Sequence, residues 1–307
     1  MGSIVYEIAH MDIDTRKMHK RGEISDKTCK HYKDLAIKFG LWCKEHCGCR
    51  HAQDCPAYLQ AYADWLVAQG KSTSTVHTYL AGACRWFGVS LETISKPMRV
   101  VSDNTRSRGT KAVDTRSDAH REASPRLWDF AAAVGIRRKE YAHLCGNDFV
   151  YDESGYPCVR VKRGKGGKYQ EQRIAPEDLE LVRSYFNGSE DKVFSAEEMD
   201  NKLDLHHLRA LRAERAYVDY QTRLKADPAY RAQLTEEVRL RWKRLCGKKW
   251  DPKQVEGHYY LRGKNRCFAM AHGLPIKYDR LAVMAVSIFH LSHWRCDVTV
   301  ANYLLAV

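Results

Sequence analysis

Between Lys96 and Arg121 the chain loses every apolar period, while regular spacing resumes on both sides. Seven basic residues (Lys96, Arg99, Arg106, Arg108, Lys111, Arg116, Arg121) stand there against three acidic ones (Asp103, Asp114, Asp118). A stretch that offers no face to bury cannot belong to a core, so the flanking segments must each build their own. Residues 96–121 therefore read as a basic linker, equally suited to a solvated tether and to one that tracks phosphates.

Ahead of the linker, residues 1–24 are mixed and too short for a domain. The first regular helix is expected after the Ser25-Asp26 cap, with Tyr32, Leu35, Ala36, Phe39, Trp42 and Cys43 on one face. A second follows Asp54, carries Tyr58, Leu59, Tyr62, Leu66 and Val67, and stops at Gly70. A third opens in Ser72–Thr75, buries Val76, Tyr79, Leu80, Ala83, Trp86 and Phe87, and stops at Gly88. Three amphipathic helices on short loops predict a small helical domain over 25–95.

Beyond the linker, Ser124-Pro125 starts a helix that breaks at Gly135, and a second helical segment is expected over 136–145. Strand-like pieces at 148–151 and 158–163 precede a Gly164-Lys-Gly-Gly167 reversal and a return strand to Ile174, as a hairpin requires. Helices are expected over 177–186, 204–220 and from Asp227-Pro228 to Arg244. Residues 247–276 read as irregular and basic. The period Tyr278, Leu281, Ala282, Ala285, Ile288, Phe289 then marks a helix leading to His293. The fold class is mainly α with a small antiparallel β-sheet.

A formal charge of +13 points to a polyanionic partner, and the lack of a lipidation signal or basic amphipathic anchor favours nucleic acid over a membrane surface. No apolar run approaches a membrane span and no signal-peptide layout opens the chain. Eleven cysteines, an odd number, fit a reducing cytoplasmic setting better than a disulfide framework. Cys43, His46, Cys47, Cys49, His51 and Cys55 crowd together, but their spacing matches no standard zinc finger and Cys43 already faces a helix core. No metal and no cofactor is assigned on the sequence; a stoichiometric metal in purified protein would overturn that.

Tyr303 sits at the expected end of the last structured turn, ten positions after His293. Tyrosine hydroxyls, with a pKa of about 10, attack only where other groups take the proton and hold the charge that forms. Four segments supply such groups in order: Gly135-Ile-Arg137-Arg-Lys-Glu140, the Lys165 hairpin, His206-His-Leu-Arg209, and His293 with Tyr303. In type and order the set resembles the tyrosine recombinase (phage integrase) family over about residues 120–307. The module ahead of it resembles that family's SAM-like, core-binding DNA-binding domain.

The resemblance implies a two-domain DNA clamp with a catalytic domain at 122–307. Arg137 and Arg209 would hold the phosphate charge, each donor lost costing about 2.7–4 kcal/mol of barrier. Lys165 would protonate the leaving 5′ oxygen, with Lys168 the alternative from the opposite register count. His206 would exchange the Tyr303 proton, His207 being its bland neighbour, and His293 would bind the scissile phosphate. Tyr259, Tyr260 and Tyr278 are rival nucleophiles but precede His293, the wrong order. The sequence departs from the family pattern in three ways: Ser292 stands where glycine is common, the His-to-Tyr interval is one residue longer, and 213–276 reads as an insertion. The implied activity is site-specific recombination of a mobile element through a 3′-phosphotyrosyl intermediate, without cofactor or metal. The implied partners are double-stranded DNA, a homo-tetramer on two DNA sites, and an accessory directionality factor. A type IB-like topoisomerase and a catalytically silent DNA-binding protein of the same fold are the alternatives.

Overall fold

The computed structural model describes residues 3–11, 13–98 and 121–304, apart from the Lys264 side chain. The chain divides into two compact units, Met1–Thr105 and Arg106–Val307. Most of the expected linker, 99–120, lies outside the described residues, as do 305–307. At its edge Lys96 is engaged locally, its Nζ donating to the carbonyls of Leu91 (2.6 Å) and Ile94 (2.9 Å).

The first unit is all helical. The N-terminal stretch forms α1 (Ile4–His10) and α2 (Asp14–Lys20). The long α3 (Asp26–Cys47) is capped by Ser25 and ended by Gly48 in the left-handed region. A 3-10 turn (Ala52–Tyr58) containing Pro56 then leads into α4 (Leu59–Ala68), and α5 (Thr73–Phe87) ends at left-handed Gly88. Most of the predicted face residues are buried, and Phe39, Cys43, Tyr62, Leu66, Leu80 and Trp86 share one core, while Tyr58 and Val67 are exposed. Ile4 and Ile8 of α1 join it, and Trp86 Nε1 donates to the Ile8 carbonyl at 3.0 Å. The N-terminal stretch is thus built into this core.

In the second unit, α6 spans Pro125–Ala133. The helix expected over 136–145 shrinks to one turn, α7 (Arg138–Tyr141), because Val134 and Arg137 are extended. A three-stranded antiparallel sheet follows in the order β1 (Phe149–Tyr151), β2 (Pro157–Val161), β3 (Gln170–Arg173). Cys158 faces Arg173 and Val161 faces Gln170, so the Lys165 turn is the β2–β3 connection. Short helices α8 (Leu179–Arg183) and α9 (Ala196–Met199) lead to α10 (Leu205–Ala226) and α11 (Pro228–Leu245).

Residues 247–276, expected to be irregular, instead hold β4 (His258–Tyr260) and α12 (Gly263–Ala271). β4 pairs antiparallel with β5 (Lys277–Asp279). A three-residue strand shows no period of its own, so only its partner across the chain reveals it. The last elements are α13 (Arg280–Val286), a π-type turn (Ser287–Leu291), α14 (Cys296–Thr299) and a second π-type turn (Val300–Leu304). Tyr217, Leu234, Val238, Val255 and Leu261 pack in one core with Ala285, Phe289 and Tyr303. The 213–276 stretch therefore forms much of the wall behind the terminal tyrosine. The protein is mainly helical with a small antiparallel sheet, and among the described residues no helix is long and apolar enough to cross a membrane.

A buried ion network ties sheet to helices. Arg173 bonds Asp152 and Glu237 (both 2.6 Å), and Arg241 bonds Asp152 (2.8 Å) and Glu153 (2.7 Å). Both guanidinium groups stack on Phe289, at 3.5 and 5.2 Å from the ring centre. The segment leading to His293 is therefore gripped by the sheet's far strand and by α11.

Candidate active site

The site is assembled around Arg209. The Asp204 carboxylate accepts from the backbone N–H groups of His206 (3.1 Å) and His207 (2.9 Å), which starts α10 and sets its register. Arg209, one turn in, then points inward and is 0% exposed. Its Nη1 donates to the Gly135 carbonyl and its Nη2 to that of Leu291 at 2.7 Å. One side chain thereby holds together the Gly135–Arg137 link, α10 and the His293 segment. A side chain at Gly135 would place its Cβ 3.0 Å from the Arg209 Cα, so the glycine is what lets the link lie against α10.

Arg137 is oriented by Glu140. That carboxylate accepts from the Arg137 backbone N–H and from its Nη1, both at 2.8 Å, and is 3% exposed. Burial alone would raise the Glu140 pKa, but the Arg137 charge and hydrogen bonds, helped by Arg209, hold it below the usual carboxylate range. Gln170 of β3 also donates to Glu140 (3.2 Å); Gln172 donates to Gln170 (3.4 Å) and to the Ser292 hydroxyl (3.0 Å). A polar chain thus runs from Arg137 through the sheet to the residue before His293. Glu140 entered the sequence reading only as a spacing marker, and Gln170 and Gln172 not at all. Their signal was two glutamines alternating with charged residues on a strand whose every position proves buried.

The loop carrying His293 is unusual. Ser292 and Trp294 adopt φ of 51° and 58°, left-handed values that cost a non-glycine residue about 1–2 kcal/mol. That geometry explains physically why glycine suits position 292. The loop is pinned by the His293 N–H donating to the Ser287 carbonyl (2.9 Å) and the Arg295 N–H donating to the Ser287 hydroxyl (3.1 Å).

Tyr303, 5% exposed, lies in the terminal π-type turn amid these groups. Its ring centre is 5.2 Å from that of His293, 5.7 Å from that of His206, and 5.9 Å from the Arg209 guanidinium carbon. Burial drives the His293 pKa down to about 3, reinforced by the charges of Arg209, Arg137, His206 and Lys165, so the ring is neutral near pH 7. Burial likewise lowers the Arg209 pKa, with Arg137 adding to the effect. Two polar atoms of this cluster, Arg209 Nε and His293 Nδ1, are buried without a hydrogen-bond partner. A buried polar atom left unmet costs about 1–3 kcal/mol, so both atoms suit a site that a polar ligand completes.

Four of the expected residues, His206, Arg209, His293 and Tyr303, therefore come together, and Arg137 lies near enough for its charge to act on His293 and Arg209. Lys165 is exposed at the hairpin tip, close enough for its charge to act on His293. Lys168 is exposed too, and its carbonyl closes the hairpin by accepting from the Gly164 N–H at 2.7 Å. Of the rival tyrosines, Tyr278 shares its hydroxyl proton between the Pro275 and Leu304 carbonyls, each 3.1 Å away, and so braces the terminal turn. Tyr259 and Tyr260 belong to β4.

No known protein-family profile matches this chain, and neither does any curated protein. Among solved structures, 19 chains match. One is a XerA recombinase, similar at 13% identity and a TM-score of 0.27, with 98% of this chain and 93% of that one covered. A superposition that loose adds nothing to the geometric argument.

Proposed function

We propose that the protein is a DNA strand-transferase of the tyrosine recombinase kind, a site-specific recombinase that integrates or excises a mobile element. The observation that carries the reading is the gathering of His206, Arg209 and His293 around the Tyr303 phenol, with Arg137 near enough for its charge to act on His293.

The Tyr303 oxygen attacks a backbone phosphorus, forming a 3′-phosphotyrosyl bond as the bond from phosphorus to the 5′ oxygen breaks. His206 accepts the phenol proton, and Lys165, at the exposed hairpin tip, gives one to the departing 5′ oxygen. Arg137 and Arg209 hold the charge that spreads over the non-bridging oxygens. Both are held as cations, because a delocalised guanidinium keeps its proton in proteins. Neutral His293 completes the cradle through Nδ1 or Nε2. Attack by a second strand's 5′ hydroxyl reverses the step, so one phosphodiester replaces another and no nucleotide is consumed. The helical module over 25–95 supplies further duplex contacts, the basic stretch 96–121 joins it to the catalytic part, and a homo-tetramer on two sites performs the exchange in the cytoplasm, with an accessory factor setting direction.

The test uses nicked duplexes tiled across the DNA flanking the gene, so that cleavage beside the nick traps the covalent intermediate. A protein–DNA adduct resistant to denaturant is expected for the wild type and absent for Tyr303→Phe. Adduct that persists in Tyr303→Phe moves the nucleophile elsewhere. Relaxation of any supercoiled plasmid without site preference identifies a topoisomerase, and DNA binding with no adduct on any duplex identifies a silent binding protein.

A further inference from the structure

The first unit holds a second constellation that plays no part in the proposed strand transfer. Cys43 lies in the last turns of α3, Cys49 just past the Gly48 reversal, and Cys55 in the following 3-10 turn. Their sulfur atoms all lie within 4.8 Å of one another, and all three residues are buried. Zinc–sulfur bonds of about 2.3 Å in a tetrahedron set sulfurs about 3.8 Å apart, so modest side-chain rotations bring the three to bonding positions. As thiols they are poorly served. Apart from the bond between them, the Cys43 and Cys55 groups meet weak acceptors, carbonyls at 4.0 and 3.7 Å.

We propose that Cys43, Cys49 and Cys55 bind a tetrahedral zinc ion as thiolates, with Cys47 as the fourth ligand. Cys47 follows Cys43 by four positions and so lies on the same face of α3. It is half-buried and close enough for its charge to act on Cys49. Neither the ring nitrogens of His46 and His51 nor the Cys47 sulfur belongs to the group within 4.8 Å, and of the three Cys47 is the thiol that sits a helical turn from Cys43. The negative end of the α3 dipole favours a cation at this spot. A divalent ion at the three sulfurs would displace their thiol protons by direct bonding.

The role is structural, since four thiolates leave no open position for a substrate. The ion would fasten the end of α3 to the turn that feeds α4. Glu7 of α1 docks on the same turn, accepting from the Ala52 N–H at 2.8 Å. Metal binding thereby stiffens the joint between three helices of a unit whose described cysteines are all free of disulfides.

The experiment uses the full chain purified under reducing conditions. Zinc is expected at one equivalent by elemental mass spectrometry. Chelator-stripped protein titrated with Co²⁺ should give a thiolate-to-cobalt charge-transfer band and tetrahedral visible bands, saturating at one equivalent. Cys43→Ser and Cys55→Ser should abolish the tetrahedral spectrum, and Cys47→Ser should weaken it. Cys29→Ser, outside the cluster, should leave it intact. Should the serine variants misfold by circular dichroism, the wild type alone decides, through its metal content and a Tm that falls on chelation and recovers with Zn²⁺. Absence of metal and of a cobalt spectrum overturns the proposal, with plain core thiols indicated if all eleven cysteines react in denaturant. A disulfide is indicated if two do not. A cobalt spectrum unchanged in Cys43→Ser or Cys55→Ser overturns it equally.

Discussion

Replacing Glu140 with glutamine tests the site's internal support without replacing any group proposed to meet DNA. The carboxylate accepts from the Arg137 N–H and Nη1 at 2.8 Å and from Gln170 Nε2 at 3.2 Å, at 3% exposure. A glutamine has one acceptor oxygen, so its NH₂ must face either the Arg137 N–H or the two side-chain donors. Hydrogen bonds to charged groups contribute about 1.5–3 kcal/mol, and an unmet buried donor costs a similar amount. The Arg137 side chain is 26% exposed, so water recovers part of its loss. The expected destabilisation of the second unit is about 2–3 kcal/mol, a fall in Tm of about 4–12 °C for a body of this size. Calorimetry of wild type, Glu140→Gln, Arg137→Ala and the double variant should return a coupling above about 1 kcal/mol. Acid supplies an independent check of sign. The folded pKa of Glu140 is depressed, so its stabilisation is complete above the unfolded value of about 4.5 and vanishes as pH falls through the folded value. The gap between wild type and Glu140→Gln must close in acid. A Tm within about 1 °C of wild type at neutral pH, or a gap that persists in acid, refutes the assignment.

Arg241→Ala leaves Asp152, Glu153 and Glu171 short of a partner that is itself 0% exposed. Breaking such a network should cost about 3–5 kcal/mol in urea denaturation, and a loss under about 1 kcal/mol would show that Arg173 and Arg244 suffice. Between about pH 6.5 and 4.5, one buried and two half-buried groups set the slope of stability. His290 and His293 have depressed folded pKa values, so each loses about 1.4 kcal/mol per unit as pH falls below about 6.5. Glu214, raised by burial to about 7, gains a similar amount over the same window, leaving a net loss of about 1.4 kcal/mol per unit. His293→Asn should flatten that slope, and a wild type that grows more stable on acidification contradicts the assignment.

The order of the elements was legible because helical burial follows a local period. Phe39, Tyr62 and Leu80 declare their faces from neighbours three and four positions away, and Gly48 and Gly88 end helices through a conformation that one residue decides. The set Arg137, His206, Arg209, His293 and Tyr303 was legible as residue types in a given order. Their meeting was not, because it depends on Arg209 bonding carbonyls at Gly135 and Leu291, far from it along the chain. Only tertiary closure turned Glu140, Gln170 and Gln172 from unremarkable polar residues into a buried relay. Closure likewise joined 213–276 to the core behind Tyr303 and brought three cysteine sulfurs together across a glycine turn. Periodicity and caps act over a turn or two and can be read from adjacent letters; hydrogen bonds and sulfur clusters act over a few ångströms of space, which the linear chain does not measure.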